Sequence, residues 1–388
     1  MTISERAFVP ATVNDFTAAS EQLRAQQVGI SELTDSNPTN HNLFDPEILD
    51  VVAAATRNAG SYQPHPRGSL LAREALAANF GGSPDDYWLT ASTSESYNWL
   101  FTLLADPGGR VAVPNPGYPL INPLARLAGL EQVAYRTLYL HPHGWEYDLD
   151  SVANAATQTQ AFVVVNPNNP TGSYTDTATA VALTEILTRS GTPLICDEVF
   201  FPFTLDSTLH PTRLAGNTAH VTFGLDGLSK LLAAPQLKLG WIRLSGPPNE
   251  TAPYARALDA IADNYLTVGS PIAVALPALL EQAATSTART CDRIRNNYLI
   301  VQQVFADNGY RVRHTAGGWM VLIDTPPIID DDALALRILN TAHLAVHPGW
   351  FYDLDSPTTL ALSLLPESPA LRTNCLALKA AIAATITQ

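Results

Sequence analysis

Short apolar runs alternate with stretches of helical spacing through the middle of the chain. Buried strands are predicted at four of these runs, 110–113, 161–165, 194–196 and 220–223. Apolar positions at helical spacing occupy 48–55, 70–79 and 97–104. Continuous apolar strands separated by helices are typical of a parallel sheet that helices cover on both faces. The pattern therefore predicts an α/β fold with a large domain built on a mostly parallel sheet.

The C-terminal part of the chain has a different pattern. A long helical stretch over 274–305 is followed by predicted strands near 319–323 and 361–365 and by a final helix. This order indicates a smaller α+β domain, which we expect the N-terminal segment to complete. The expected division is 1–45 as an N-terminal segment packing with the small domain, 46–275 as the large domain and 276–388 as the small C-terminal domain.

Composition and charge narrow the function classes. The 388 residues are 46% hydrophobic and 15% charged, which is typical of a globular protein with a large core. The net charge of -14 argues against binding to nucleic-acid phosphates or to an anionic membrane surface. The chain has no apolar run of about 18 residues and no basic-then-apolar N-terminus. We therefore expect a soluble, cytoplasmic protein with no nucleic-acid or membrane partner.

The cysteines indicate neither a disulfide framework nor a metal site. Cys196, Cys291 and Cys375 are too few and too scattered for a disulfide framework or a Cys-x-x-Cys metal site. No metal site is expected.

Polar residues follow three of the predicted strands. Asn169 lies in the loop after 161–165, Asp197 follows 194–196, and Lys230 lies beyond 220–223. Ligands of open α/β sheets bind outside the carboxyl ends of the strands. The topology therefore predicts one crevice that contains all three residues.

Lysine is rare in this chain, which draws attention to its position. Two of the three lysines, Lys230 and Lys238, lie within the almost purely apolar stretch 228–241. A lysine is ordinarily a solvated surface charge, but a charge among apolar neighbours needs a partner. A desolvated lysine amine is also a Schiff-base nucleophile because burial lowers its pKa. An aldehyde and a phosphate would supply partners for the two lysines.

The other crevice residues have both structural and functional interpretations. Asp197 either caps a helix or pairs with a protonated pyridine nitrogen, which keeps the ring an electron sink. Asn169 either satisfies turn backbone or donates to a ring oxygen. The hydroxyls of Ser92, Thr93 and Ser94 either form an ordinary helix N-cap or an anion site at the helix start.

Together these segments closely resemble the fold-type I, pyridoxal-phosphate (PLP) dependent aminotransferases of class I/II, the aspartate aminotransferase superfamily. The matching segments occur in the order found in that family, at 36–39, 62–68, 91–95, 116–119, 166–172, 197–200, 229–241 and 347–350. Each segment is weak by itself, but their shared order is a strong signal because unrelated folds have no reason to repeat it. The resemblance extends from about residue 30 to residue 366, so it covers nearly the whole chain.

The resemblance implies a PLP cofactor and a role for each matching residue. Lys230 would form the internal aldimine and move the proton, Asp197 would pair with the pyridinium nitrogen, and Tyr118 would stack on the ring. The remaining cofactor-binding positions would be Ser92, Thr93, Ser94, Asn169, Phe200, Ser229, Lys238 and, across a subunit interface, Tyr62. Substrate would contact Asn37, Asn169 and a carboxylate-binding cation.

The implied reaction is a ping-pong transfer of an amino group from an amino acid to a 2-oxo acid through the Lys230 aldimine. Amino acid and 2-oxo acid are the expected small-molecule partners. Because Tyr62 would reach the neighbouring subunit, the resemblance also implies a homodimer with shared active sites.

Three positions depart from the pattern of the family. Phe200 stands where many members have a tyrosine that donates to the ring oxygen, and Lys238 replaces the usual phosphate-binding arginine. Ala361 occupies the position of the arginine that binds the substrate carboxylate. Either another cation binds that carboxylate or the substrate is not a plain α-amino acid.

Arg67 is the candidate replacement cation, since the resemblance places its loop at the partner's active site. Its alternative interpretation is a surface arginine between turn residues. Packing is favoured over substrate contact for His347, Trp350 and Trp319, and His65 is interpreted as a turn residue.

Two other functions are compatible with the same scaffold. Ala361 and Phe200 leave open a PLP-dependent lyase or decarboxylase. An effector-sensing domain of a transcription regulator would carry a basic winged-helix domain, and residues 1–45 have no such pattern. The leading hypothesis is an aminotransferase.

Overall fold

The computed structural model describes residues 3–7, 13–206, 208–209, 211–307 and 309–386. The strands are β1 Ser31–Glu32, β2 Tyr87–Thr90, β3 Arg110–Asn115, β4 Glu131–Leu140, β5 Gly144–Tyr147, β6 Ala161–Val165, β7 Leu194–Asp197, β8 Thr222–Gly227, β9 Gly240–Ser245, β10 Arg311–Val312, β11 Met320–Asp324, β12 Leu344–Ala345, β13 His347–Pro348 and β14 Thr359–Ser363. The helices are α1 Asp15–Ala25, α2 Glu47–Thr56, α3 Leu70–Phe80, α4 Thr93–Leu104, α5 Ile121–Ala128, α6 Leu149–Ala156, α7 Thr177–Ser190, α8 Leu228–Leu231, α9 Pro248–Asp263, α10 Ser270–Glu281, α11 Ala283–Val304, α12 Asp331–Ala342 and α13 Ser368–Ile386. Short 3₁₀ turns occupy Pro38–His41, Pro84–Asp86, Pro235–Leu237 and Gly349–Tyr352.

The largest sheet has eight strands in the order β2-β9-β8-β7-β6-β3-β4-β5. The neighbours from β8 through β4 pair in parallel, while β9 and β5 run antiparallel to their neighbours. The fold is therefore α/β with a mostly parallel sheet. The carboxyl ends of β6, β7 and β8 lie side by side, which brings the loops after these strands to one edge.

Both faces of this sheet are buried, and alternate residues of one strand pack on opposite sides. In β6, Val163 and Val165 contact the layer formed by α4, α5 and α9, whereas Phe162 and Val164 contact the layer formed by α6 and α7. Because successive side chains of a strand point to opposite faces, a strand buried on both faces must be apolar throughout. This explains the uninterrupted apolar run that predicts β6.

A second sheet has four antiparallel strands in the order β10-β11-β14-β13. One face packs against α11, α12 and α13 through Val321 and Leu362. The opposite face carries Leu322 and Ala361, and Trp145 of the β4–β5 hairpin packs against it. This opposite face is therefore turned toward the eight-stranded sheet.

The N-terminal segment joins the C-terminal part of the chain. Strand β1 pairs in parallel with β12, and the carbonyl of Leu33 accepts the backbone N–H of Ser363. Helix α1 packs against α12. The division at residues 45 and 275 stays a prediction.

The predicted elements coincide with observed ones, with two informative differences. The strand expected at 220–223 is β8, which begins at Thr222 and runs on to Gly227, three residues before Lys230. The long helix expected over 274–305 is two helices, α10 and α11, that meet at Gln282. Among the described residues, no helix combines the length and the apolar character needed to cross a membrane.

Candidate active site

Lys230 lies in the short helix α8, immediately beyond the carboxyl end of β8. Its Nζ is 5.2 Å from the ring centroid of Trp319 and 5.5 Å from that of Phe200. Burial lowers the pKa of the Lys230 amine, while the charge of Asp197 acts in the opposite direction. The amine is therefore easier to deprotonate than that of a surface lysine.

Asp197 is the last residue of β7 and is almost fully buried. Its carboxylate accepts hydrogen bonds from the Tyr97 hydroxyl at 3.1 Å and from the Val199 backbone N–H at 3.2 Å. Burial raises the pKa of Asp197 to about 6, although these hydrogen bonds and the nearby Lys230 favour the charged form. Within the described part of the chain, Asp197 makes no salt bridge, so a buried carboxylate is left without a bonded cation. A protonated ring nitrogen would supply that cation.

Tyr118 lies close to Asp197 because of the turn that precedes it. Gly117 donates its backbone N–H to the carbonyl of Tyr352 at 3.1 Å. A Cβ at this glycine would lie 2.3 Å from the carbonyl oxygen of Pro114, so the turn requires glycine. Burial raises the pKa of Tyr118, and the negative charge of Asp197 adds to the effect.

The loop after β6 holds three asparagines, and two of them are fully engaged with the protein. Asn166 donates to Glu198 at 3.1 Å, and Asn168 donates to the carbonyl of Pro116 at 3.2 Å. Asn169 differs, because its buried Oδ1 has no hydrogen-bond partner among the described residues. A buried amide oxygen without a partner is costly unless a ligand completes the site.

The start of α4 is a potential anion site. Ser92 is the N-cap, and its Oγ accepts the backbone N–H of Glu95 at 3.2 Å. Thr93 and Ser94 form the first turn, where backbone N–H groups have no partner within the helix. The strand β9 passes alongside, since a Cβ at Gly240 would lie 3.3 Å from the Ser92 carbonyl carbon.

The two remaining phosphate-binding candidates flank this helix start. Ser229 is partly buried in α8, directly before Lys230. Lys238 is exposed and has a left-handed backbone, with φ of 52°, two residues before β9. The structure thus brings Ser92, Lys238 and α8 to the same edge of the sheet.

Phe200 packs edge-on against Trp319, with 5.2 Å between ring centroids and 71° between planes. Both rings are near the Lys230 amine. The sequence favours a packing role for Trp319. In the structure its indole Nε1 is buried without a partner among the described residues. Aromatic rings therefore form one side of the space around Lys230.

Three candidates make their contacts elsewhere in the chain. Asn37 caps the turn Pro38–His41 by accepting the backbone N–H of Thr39 at 3.2 Å. Tyr62 is 73% exposed and lines a surface cavity of about 560 Å³. Among the described residues, neither makes a hydrogen bond to a residue of the Lys230 site.

Arg67, the third of these candidates, is already bound. Its Nε and Nη2 donate to the two carboxylate oxygens of Asp259, each at 2.7 Å. The guanidinium also lies over the ring of Trp88, 4.4 Å from its centroid. To bind a substrate carboxylate, Arg67 would have to leave this bidentate pair.

Ala361 lies in β14, fully buried in an apolar cluster with Met320, Leu322, Tyr352 and Leu354. A guanidinium occurs nearby at Arg313. It donates to Asp324 at 2.8 Å and to the Thr359 hydroxyl at 3.0 Å. Arg313 is therefore committed to groups of its own sheet.

Tyr97 is a residue of the site that the sequence pattern does not indicate. It lies on the buried face of α4, and the helical pattern alone interprets it as core. Its position one turn after Thr93, on the helix that starts at the candidate anion site, was the available signal. Among the described residues, no group of three or more metal-ligating side chains comes together.

Known proteins are similar to this chain along nearly its whole length. A family model described as aminotransferase class I and II matches residues 32–375. The chain belongs to this family. The alanine aminotransferase of Mycobacterium bovis is 25% identical over 369 residues, with 89% of this chain and 84% of that protein covered.

Two further proteins are similar to this chain, one in sequence and one in structure. The S-alkyl-thiohydroximate lyase SUR1 of Arabidopsis thaliana is 33% identical over 254 residues, covering 61% of this chain and 52% of that protein. The solved structure of the alanine aminotransferase from Pyrococcus furiosus has a TM-score of 0.90 at 22% identity and covers 99% of this chain and 100% of that chain. The second similarity establishes the fold, PLP fold type I.

Members of the aminotransferase family use PLP, and the residues around Lys230 fit that group. Asp197 provides a carboxylate without a bonded cation, Asn169 an amide whose Nδ2 would donate to a ring oxygen, and the start of α4 a candidate anion site. These are the polar complements of a pyridinium, a ring oxygen and a phosphate.

Proposed function

We propose that this protein is a PLP-dependent aminotransferase that moves an amino group from an amino acid to a 2-oxo acid by a ping-pong mechanism. The observation that carries the proposal is the placement of Lys230 and Asp197 beside each other, at the carboxyl ends of the adjacent parallel strands β8 and β7. One is a desolvated amine and the other a buried carboxylate without a bonded cation. Family membership supports the same conclusion.

When bound, PLP supplies an aldehyde that links to amines and a ring that stabilises negative charge on the substrate α-carbon. Asp197 would hold the ring nitrogen protonated, and the hydrogen bonds from Tyr97 and Val199 keep its carboxylate oriented. Asn169 would bind the ring oxygen by itself, since Phe200 has no hydroxyl. Tyr118 would cover one face of the ring.

Lys230 would act twice in each half-reaction. Its amine would hold the cofactor aldehyde until substrate binds, and it would then take the proton from the substrate α-carbon. A lowered pKa suits both steps because only the neutral amine is a nucleophile or a base. The donor would leave as a 2-oxo acid while its amino group stays with the cofactor, and a different 2-oxo acid would then take up that group.

The phosphate would bind at the start of α4. Ser92, Thr93 and Ser94 would supply hydroxyl and backbone N–H donors, joined by Ser229 and the cation of Lys238. Since Ser92 already accepts the N–H of Glu95, its hydroxyl proton is available to donate.

A homodimer with shared sites is part of the proposal. Tyr62, Leu70, Leu71 and Tyr265 expose between 49% and 73% of their surfaces. Tyr62, Leu70 and Leu71 line one surface cavity, where Leu266 and Val268 also lie. Exposed apolar surface of this kind favours burial against a second copy. Tyr62 would then reach the partner's phosphate site.

The division 1–45, 46–275 and 276–388 is likewise proposed. It is supported by the separate packing of the two sheets and by the pairing of β1 with β12. The cytoplasmic location stays a prediction.

Borohydride reduction of the PLP-loaded protein tests the function. Reduction should leave a pyridoxyl mass on the peptide containing Lys230, and Lys230→Ala should abolish both the adduct and amino transfer. Lys379→Ala is a matched control, because Lys379 is the third lysine of the chain and pairs with Asp307 on the surface. An adduct on Lys238 or Lys379 in place of Lys230 would refute the assignment.

A PLP-dependent lyase or decarboxylase is the second candidate. Ala361, Phe200 and the similarity to a plant lyase favour it. Stoichiometric donor should convert the cofactor to its amine form if the protein is an aminotransferase. Release of ammonia, carbon dioxide or a thiol with the aldehyde form retained would establish the alternative.

A further inference from the structure

His347 is a polar neighbour of Ala361, the position at which the family pattern has its carboxylate-binding arginine. Strand β14 pairs with β13 so that Ala361 lies directly opposite His347, and it pairs with β11 so that Ala361 lies opposite Leu322. Side chains at directly opposite positions of antiparallel strands point to the same face, with Cβ atoms about 5 Å apart. The imidazole of His347 therefore emerges beside the methyl group of Ala361.

His347 is held in a fixed orientation. Its Nδ1 lies 3.0 Å from the hydroxyl of Tyr352, and its ring stacks on Phe351 with 4.5 Å between centroids. If the Tyr352 hydroxyl donates to Nδ1, the proton of the neutral ring resides on Nε2, which remains available as a donor. Burial lowers the pKa of His347 to about 4, so the ring is neutral at physiological pH.

This pair is connected to the candidate active site. The carbonyl of Tyr352 accepts the N–H of Gly117, the residue before Tyr118. Burial raises the pKa of Tyr352, and the proximity of Tyr118 adds to the effect. Tyr118 in turn lies near Asp197. His347 is thus linked through Tyr352 to the ring-stacking position.

The other donors on this face are less accessible to a carboxylate, since the unpartnered indole Nε1 of Trp145 is buried. The cluster around Ala361 is apolar, and Arg313 is committed to Asp324 and Thr359. His347 remains partly exposed, although Ala361 and Tyr352 beside it are buried. It is therefore the polar group next to position 361 that a ligand is able to reach.

We propose that His347 binds the carboxylate of the amino-acid substrate through its Nε2–H, in the place of the arginine that Ala361 replaces. The inference rests on the proposed function for the identity of the substrate. One neutral N–H is a weaker and less selective partner than a bidentate guanidinium. The site therefore discriminates only modestly between a carboxylate and an uncharged group such as a primary amide.

Two isosteric variants test this role. The amide of His347→Gln reaches the position of Nε2, whereas the shorter amide of His347→Asn reaches only that of Nδ1. Propionate, which has the carboxylate of alanine without its amine, is titrated into the PLP-loaded proteins by calorimetry. His347→Gln should keep the Kd for propionate within threefold of wild type, and His347→Asn should raise it at least tenfold. His141→Asn, in the exposed β4–β5 turn, should leave it unchanged.

Kinetics with L-alanine and L-alaninamide give the second measurement. His347→Asn should raise KM for L-alanine at least tenfold, with kcat within threefold and KM for L-alaninamide unchanged. Failure of wild type to bind propionate, or equal Kd values for folded Gln and Asn variants, would overturn the inference. Because propionate binding needs no turnover, the inference can fail while amino transfer persists. Loss of transfer activity with every donor would refute the proposed function separately.

Discussion

The two sides of the candidate site differ in how closely they follow the aminotransferase pattern. On the side of the eight-stranded sheet, Lys230, Asp197 and Asn169 occupy the expected positions at neighbouring strand ends. On the side of the four-stranded sheet, Ala361 is buried in apolar packing and His347 is its polar neighbour.

This difference separates what the cofactor requires from what the substrate requires. PLP presents a ring nitrogen, a ring oxygen and a phosphate. The residues that face it in this family must complement these three groups, which limits the side chains that fit. A substrate carboxylate can be bound by any donor that reaches it. The family pattern therefore predicts chemistry better than it predicts specificity.

Asp197→Asn tests the cofactor side and should have the largest effect. An amide cannot hold the ring nitrogen protonated, so kcat should fall about a thousandfold, or about 4 kcal/mol in activation free energy. Single-turnover rates with saturating PLP measure this loss. Asp226→Asn is the matched control, since Asp226 is buried near the end of the adjacent strand β8 and should leave kcat within threefold. A small effect of Asp197→Asn would mean that another group pairs with the ring.

Ala361→Arg tests whether the substrate side has simply lost its arginine. Ala361 has no exposed surface, and its neighbours are apolar. A guanidinium there would overpack the cluster and bury a charge, so the free energy of unfolding should fall by about 3 kcal/mol. Urea unfolding measures it, and Ala361→Met separates volume from charge. A stable variant with a lower KM for alanine would show instead that space for the arginine remains.

The eight-stranded sheet was predictable because its signals are local. Each apolar run marks a strand buried on both faces, and residues after parallel strands meet at one edge. That reasoning placed Asn169, Asp197 and Lys230 together without any pairing information. It missed the β4–β5 hairpin, whose residues are only partly buried, and it missed β9, a mostly buried strand whose apolar run is interrupted by Arg243.

Contacts that depend on strand register or on distant residues were not predictable. The placement of His347 opposite Ala361 requires knowing how β13 pairs with β14. Arg67 and Asp259 are 192 residues apart in the sequence, and nothing near either one indicates the other. Tyr97 is a buried core residue, so the helical pattern gives no sign that its hydroxyl donates to Asp197.

Arg67→Ala decides between the substrate role expected from sequence and the structural role indicated by Asp259. The change leaves Asp259 without its bidentate partner and uncovers Trp88, so the free energy of unfolding should fall by about 2 kcal/mol. KM for alanine should stay within threefold, whereas a carboxylate-binding Arg67 would require a rise of at least about tenfold. Asp259→Asn is the control and should destabilise similarly. A tenfold rise in KM with unchanged stability would restore Arg67 as the carboxylate-binding cation.

Asp226→Asn tests a smaller feature of the cofactor side, the buried carboxylate of Asp226 near the end of β8. Burial raises the pKa of Asp226 to about 7, and Glu198 and Asp197 add to this, against Arg213 and the N–H of Gly227. Its Oδ2 is 3.8 Å from Arg213, too far for a hydrogen bond. The folded protein keeps a proton that the unfolded chain, with its ordinary aspartate pKa near 3.8, releases.

The sign of the pH dependence follows from that difference. The contribution of Asp226 to wild-type stability should be fully present below about pH 4 and should be lost as the pH rises toward 7, where the folded state also loses the proton. An asparagine keeps the hydrogen bond from Gly227 and carries no charge, so the variant should be more stable at pH 8 by about 1 kcal/mol. Urea unfolding of the PLP-free protein at pH 4 and pH 8 measures both effects. If the variant gains nothing at pH 8, Arg213 neutralises Asp226 fully although it also pairs with Glu198 at 2.9 Å.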